Sequence, residues 1–184
     1  MRVIKSVVTT DAILTSSNIP EDEYPAWVSG TSYTALGKVI YQHKIYQRIV
    51  TGSGTTTPDL DQANWLDDGY TNRYRMFDNI ISSVSSRTGG IEFTLTPNQV
   101  INGIALLNVN ASTVRVVMND PIEGVVYDRT KELRSSSNVI DYYSYFFATL
   151  INLGDLDTAI FLDLPNKPTA TITVYVSSGV GLVE

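Results

Sequence analysis

The stretch Ala170–Val176 alternates so regularly that Ile172, Val174 and Val176 fall on one side of an extended chain. A helix would turn Val174 away from the other two, so the pattern admits a strand and little else. The alternation recurs in Ile91, Phe93 and Leu95 after the Gly89-Gly90 turn. Thr113–Met118 reads as a further strand, closed by Asn119-Asp120-Pro121. Val139–Leu150 is dense enough in apolar residues to suit a helix. Its three tyrosines and two phenylalanines, with no capping residue, favour a buried strand instead. The expected class is all-β: a small aromatic-rich β module followed by an antiparallel, jelly-roll-like β-sandwich.

Composition sets the outer limits. The 184 residues, 43% of them hydrophobic, suffice for a real core in one domain or two small ones. With no cysteine, a disulfide framework, a Cys-ligated zinc and a thiol nucleophile are excluded. Lys and Arg total 13 against 19 Asp and Glu, a net charge of −6. A non-specific nucleic-acid binder needs a basic face, so no nucleic-acid partner is expected. Apolar stretches such as Tyr145–Leu150 and Ala159–Leu162 fall far short of the roughly 20 residues of a membrane span. No membrane insertion is expected, and no secretory signal is legible where Met1–Val8 turns polar at Thr9-Thr10-Asp11.

Shifts in composition suggest an extended arm over 1–24 that becomes ordered only against a partner or the second domain, with one strand at Val3–Val8. A small β module over 25–68, a linker over 69–76 and a sandwich over 77–184 follow. The Ala170–Val176 strand, followed by Ser177-Ser178-Gly179, is expected at an edge of that sandwich.

The small module holds both tryptophans and the single histidine. Val39–Tyr41 and Ile45–Ile49 form a hairpin about Gln42-His43-Lys44. With so few aliphatic residues, its core must be a few large aromatics, each burying about 150–250 Å². The ordered set Trp27, Gly30, Thr31, Tyr33, Gly37, Val39, Tyr41, Tyr46, Pro58 and Trp65 resembles the small carbohydrate-binding modules found beside bacterial chitinases and cellulases. Lys38 stands where that family usually has Asp. The resemblance implies glycan stacking on Trp27, Tyr33 or Trp65. The same rings are also the only residues here able to fill a core, and both readings stay open.

Beyond Trp65 the likeness extends along most of the chain. Asp11–Trp27, Thr71-Asn72-Arg73-Tyr74-Arg75-Met76-Phe77-Asp78, Ile104–Val109 and Asp141–Phe147 resemble segments of a family of tailed-bacteriophage structural proteins. This implies a virion component of the tail, tail tip or baseplate. It would be assembled in the host cytoplasm without a signal peptide and would contact other tail proteins in multiple copies. The alternative is a carbohydrate-binding module that touches host surface polysaccharide during attachment.

At the joint between the two expected domains, Asn72, Arg73, Arg75 and Asp78 form a candidate hinge. In an extended segment Arg73 and Arg75 share a face, where their guanidinium groups can pair with Asp67, Asp68 or Asp78. The plainer alternative is a surface turn with solvated charges. In Asp141–Phe147 a strand would place Tyr143, Tyr145 and Phe147 outward as a protein interface and Tyr142, Ser144 and Phe146 inward, unless a loop covers them.

Catalytic chemistry finds little support. His43 reads as a solvated turn residue, and a triad would have to be built on it. Asp59, Asp61, Asp67 and Asp68 cluster, but without the glycine and terminal glutamate of an EF-hand loop. No glycine-rich phosphate loop precedes a lysine. The expectation is no enzyme, no cofactor and no metal.

Overall fold

The computed structural model describes residues 7–78, 80, 82–133, 142–147 and 157–177. In chain order the strands are β1 (Leu14–Ser17), β2 (Ser32–Tyr33), β3 (Lys38–Tyr41), β4 (Lys44–Arg48), β5 (Gly52–Ser53) and β6 (Trp65–Tyr70). They continue with β7 (Ile91–Leu95), β8 (Ile104–Leu106), β9 (Thr113–Asp120), β10 (Gly124–Glu132), β11 (Ala159–Phe161) and β12 (Thr171–Ser177). A 3-10 turn covers Arg75–Phe77, and one short helix, α1, covers Tyr142–Phe147. The strands of every sheet pair antiparallel, and the all-β class holds.

Contacts divide the chain into two compact units. One is 19–86; the other joins 1–18 to 87–184. The smaller unit is therefore inserted between β1 and β7, two strands that pair directly with each other, rather than following an arm. Its boundaries fall at 18/19 and 86/87, not at 24/25 and 76/77. Within the expected arm, β1 is an edge strand of the larger unit's sheet. Most of the expected Val3–Val8 strand lies outside the described residues, and Val7 and Val8 are exposed and not in a strand.

In the larger unit the sheet order is β1-β7-β12-β9-β10. Its registers build apolar rows across the strands: Phe93 faces Val174, which faces Val116, and Leu95 faces Ile172, which faces Met118. Phe93, Val116, Met118, Ile172 and Val174 are all buried, and burying a side chain of this kind contributes about 1.5–3 kcal/mol. The opposite face is polar, with the Thr94 and Thr173 hydroxyls 3.1 Å apart. That division explains the alternation of Ala170–Val176 but corrects its place. β12 is hydrogen-bonded on both sides, to β7 and β9, so among the described residues the edges are β1 and β10. A second ribbon pairs β11 with β8 and carries the buried Ala159 and Phe161.

Gly90 shows why the turn before β7 needs glycine. Its φ is +95°, and a Cβ there would come within 2.7 Å of the Val176 carbonyl oxygen.

The expected strand over Asp141–Phe147 is instead helical. In a helix Tyr142 and Phe146 become i, i+4 neighbours, and their rings meet edge to face at 5.0 Å, a contact that a strand cannot make. The alternation that placed Tyr142 and Phe146 inward therefore fails.

Candidate functional site

The smaller unit is organised around aromatic rings. Strand β4 pairs with both β3 and β6, setting Tyr46 opposite Val39 and Asp67, and Arg48 opposite Trp65. Val39, Tyr46 and Trp65 form the buried core, with Trp27, Tyr33 and Tyr41 packed against it. Tyr33 meets Trp65 edge to face at 5.3 Å, and Trp27 meets Tyr41 at 5.5 Å. The Tyr33 hydroxyl is fixed as well: it accepts from the Val28 N–H at 2.8 Å and donates to the Val28 carbonyl at 3.3 Å.

This geometry corrects the stacking role given to Trp65. A pyranose needs an open ring face, but Trp65 is 4% exposed and the Arg48 guanidinium lies over it at 4.9 Å. Trp27 and Tyr33 are half-buried and engaged edge-on in the same cluster. Arg48 is itself buried. It donates through Nε to the Val50 carbonyl at 2.8 Å and lies 3.9 Å from Asp61. A charge in that position needs such partners, because desolvation without them is costly.

A second constellation gathers at the turn between β3 and β4. This two-residue turn has Gln42 at φ +48° and His43 at φ +63°, a conformation usually given to Asn or Gly. Non-glycine residues hold it when surrounding contacts over-determine them. Here His43 Nδ1 lies 2.9 Å from Glu21 Oε1 and 3.1 Å from Oε2, and the imidazole stacks on Tyr74 at 4.0 Å. The buried Thr71 donates its hydroxyl to Glu21 Oε1 at 2.8 Å and its N–H to the His43 carbonyl at 2.9 Å. His43 is thus an anchored, half-buried residue rather than a freely solvated one. Thr71 is fully buried and its hydroxyl proton points to the carboxylate, so the pair does not present that hydroxyl to a substrate.

The joint residues belong to this knot. Arg73 donates through Nε to the Ile19 carbonyl at 2.7 Å and lies 3.8 Å from Glu21. Asn72 donates its N–H to the Glu23 carboxylate. Its side chain donates to the Ser86 carbonyl at 2.7 Å and accepts from the Ser86 N–H at 2.8 Å. Asn72 and Arg73 therefore tie together the two chain ends of the inserted unit.

The pairing expected for the arginines is not the one found. Asp67 and Asp68 are taken by Lys44 and Lys38, each at 2.6 Å, while Arg75 donates to the Tyr70 carbonyl at 3.1 Å. Asp78 accepts from the Ile80 N–H at 2.8 Å. The segment turns through Asn72–Phe77 instead of extending, which removes the shared face of Arg73 and Arg75. These lysine contacts and the bonds from Asn64 to Asp61 engage three of the four aspartates Asp59, Asp61, Asp67 and Asp68. Among the described residues no group of three metal-ligating side chains gathers.

On α1, Tyr142, Tyr143 and Phe146 are 81%, 72% and 58% exposed. The side chains of Tyr145 and Phe147 lie outside the described residues. Sequence reasoning placed only Tyr143 of the described three in the interface. The i, i+4 spacing of Tyr142 and Phe146 was the available signal for the helix.

No family model, curated protein or solved structure matches the chain significantly.

Proposed function

We propose that this chain is a structural adaptor of a tailed-phage virion, at the tail, tail tip or baseplate, acting through protein contacts. The observation that carries the reading is the group of exposed rings on α1, Tyr142, Tyr143 and Phe146. Exposed aromatics of this density are costly to leave in water and are the residue types that dominate interface energetics. The likeness of Asp11–Trp27, Thr71–Asp78 and Asp141–Phe147 to phage structural proteins supports the same reading. Contact with host glycan through the small module is the lesser reading, because Trp65 has no open face to offer. Peptide mass spectrometry of density-purified particles from the genome that encodes the chain tests this. The adaptor role requires the chain in particles at a fixed ratio to a major tail protein. Its presence in lysate and absence from particles would refute it.

A further inference from the structure

We propose that Asn102 is a site of spontaneous covalent modification, where the Gly103 backbone nitrogen closes onto the Asn102 side-chain amide carbon. Asn102-Gly103 is the only Asn-Gly pair in the chain. Gly103 has no Cβ to obstruct the approach of its own nitrogen to the preceding side chain.

The structure separates Asn102 from Asn18, Asn64 and Asn72, and the sequence separates it from the exposed Asn98, Asn108 and Asn166, which are followed by Gln99, Val109 and Lys167 instead of glycine. It is exposed, lies in the irregular segment between β7 and β8, and its side chain makes no hydrogen bond among the described residues. Asn18 is held by Gly90 and Glu92, Asn64 by Asp61, and Asn72 by Ser86. Held amides cannot swing onto the following nitrogen; an untethered one in a loop can.

The step balances without a co-reactant beyond water. The Gly103 nitrogen gives up its proton to solvent base and forms a bond to Asn102 Cγ. The tetrahedral adduct expels the side-chain nitrogen as ammonia, leaving a cyclic imide. Water then opens the imide at one carbonyl or the other, leaving an aspartate or an isoaspartate at position 102. The net change is one water consumed and one ammonia released, which carries off the carboxyl proton as ammonium and leaves one negative charge on the chain.

The position is sensitive to backbone change. A Cβ on Gly103 would come within 3.0 Å of both the Phe161 carbonyl oxygen and Leu162 Cδ2, and Ile104 pairs with Phe161 immediately afterwards. An isoaspartate adds a backbone carbon directly before this close packing.

The test ages the intact full-length chain at mildly alkaline pH, then digests it with trypsin and sequences the fragment 88–115 by tandem mass spectrometry. The expected result is the carboxamide-to-carboxyl mass shift localised to Asn102, in two chromatographically separate products, and its loss in N102Q. An unshifted fragment from aged protein would overturn the proposal, whether or not the fragment released before ageing shifts. So would a shift found only at Asn98, Asn108 or Asn110.

Discussion

Glu21 Oε1 lies 2.9 Å from His43 Nδ1. A carboxylate only accepts, so Nδ1 carries a hydrogen and donates it, which fixes the orientation of the imidazole while it stacks on Tyr74. The contact holds a histidine at positive φ and bonds the segment after Asn18 to the β3–β4 turn.

Removing the carboxylate should therefore destabilise the inserted unit. Glu21→Ala leaves the Thr71 hydroxyl and His43 Nδ1 without their acceptor, at a cost of about 1.5–3 kcal/mol. Asp22→Ala, at an exposed neighbour, should stay within about 0.5 kcal/mol. Urea unfolding of the two full-length variants, followed by tryptophan emission, checks the difference; equal midpoints would show that the knot contributes nothing.

The aromatic cluster should behave as a core. Trp65→Ala removes a buried ring from beneath Arg48 and is expected to cost about 3–5 kcal/mol. Titration of the intact chain with chitin or glucan oligomers should leave its tryptophan emission unchanged. A saturable change lost in a folded Trp27→Ala variant would instead establish a sugar platform.

Much of this was legible in the sequence, for reasons that differ by element. β7, β9 and β12 were readable because one buried and one polar face enforce a period of two. The position of β12 within the sheet was not, since alternation reports which face is buried and says nothing about which strands lie alongside. Tyr142–Phe147 misled because dense aromatics suit a strand and a short helix equally. Glu21 looked like part of a solvated acidic turn, and its partners His43, Thr71 and Arg73 are distant in sequence. Gln42-His43 between two strands was the one local hint, since a two-residue loop without Asn or Gly needs tertiary support.

The inserted unit should be dispensable to the sheet that carries it. Asn18 donates its N–H to the Glu92 carbonyl at 3.0 Å and its side-chain amide to the Gly90 carbonyl at 3.3 Å, so β1 and β7 already lie side by side where the insertion begins. A chain joining Asn18 to Arg87 by a short glycine linker should keep a cooperative, strand-rich fold. Loss of cooperative melting by circular dichroism would show that the larger unit depends on its insert.

The larger unit should lose stability at both ends of the pH scale. Backbone N–H groups of Ile122 and Glu123 hold the Asp120 carboxyl below the ordinary aspartate value. Its contribution is present above that value and is lost as pH falls through the lowered one. At the alkaline end, burial first and the Asp163 carboxylate second push the Tyr127 hydroxyl from 10.0 up to about 12. The unfolded chain then releases that proton first, so stability falls as pH rises from 10.0 towards 12. Asp120→Asn should flatten the acid limb and Tyr127→Phe the alkaline limb of a urea-midpoint profile; an unaltered limb would remove that residue from the account.

The most direct measurement of the adaptor role pairs thermal melting of the Tyr142→Ser, Tyr143→Ser double variant with its abundance in purified virions. Both rings are largely solvent-exposed, so the melt should match that of the unmodified chain, while incorporation into particles should fall at least about tenfold, the equivalent of about 1.4 kcal/mol at an interface. Full incorporation with an unchanged melt would contradict the claim that this face joins the chain to the particle.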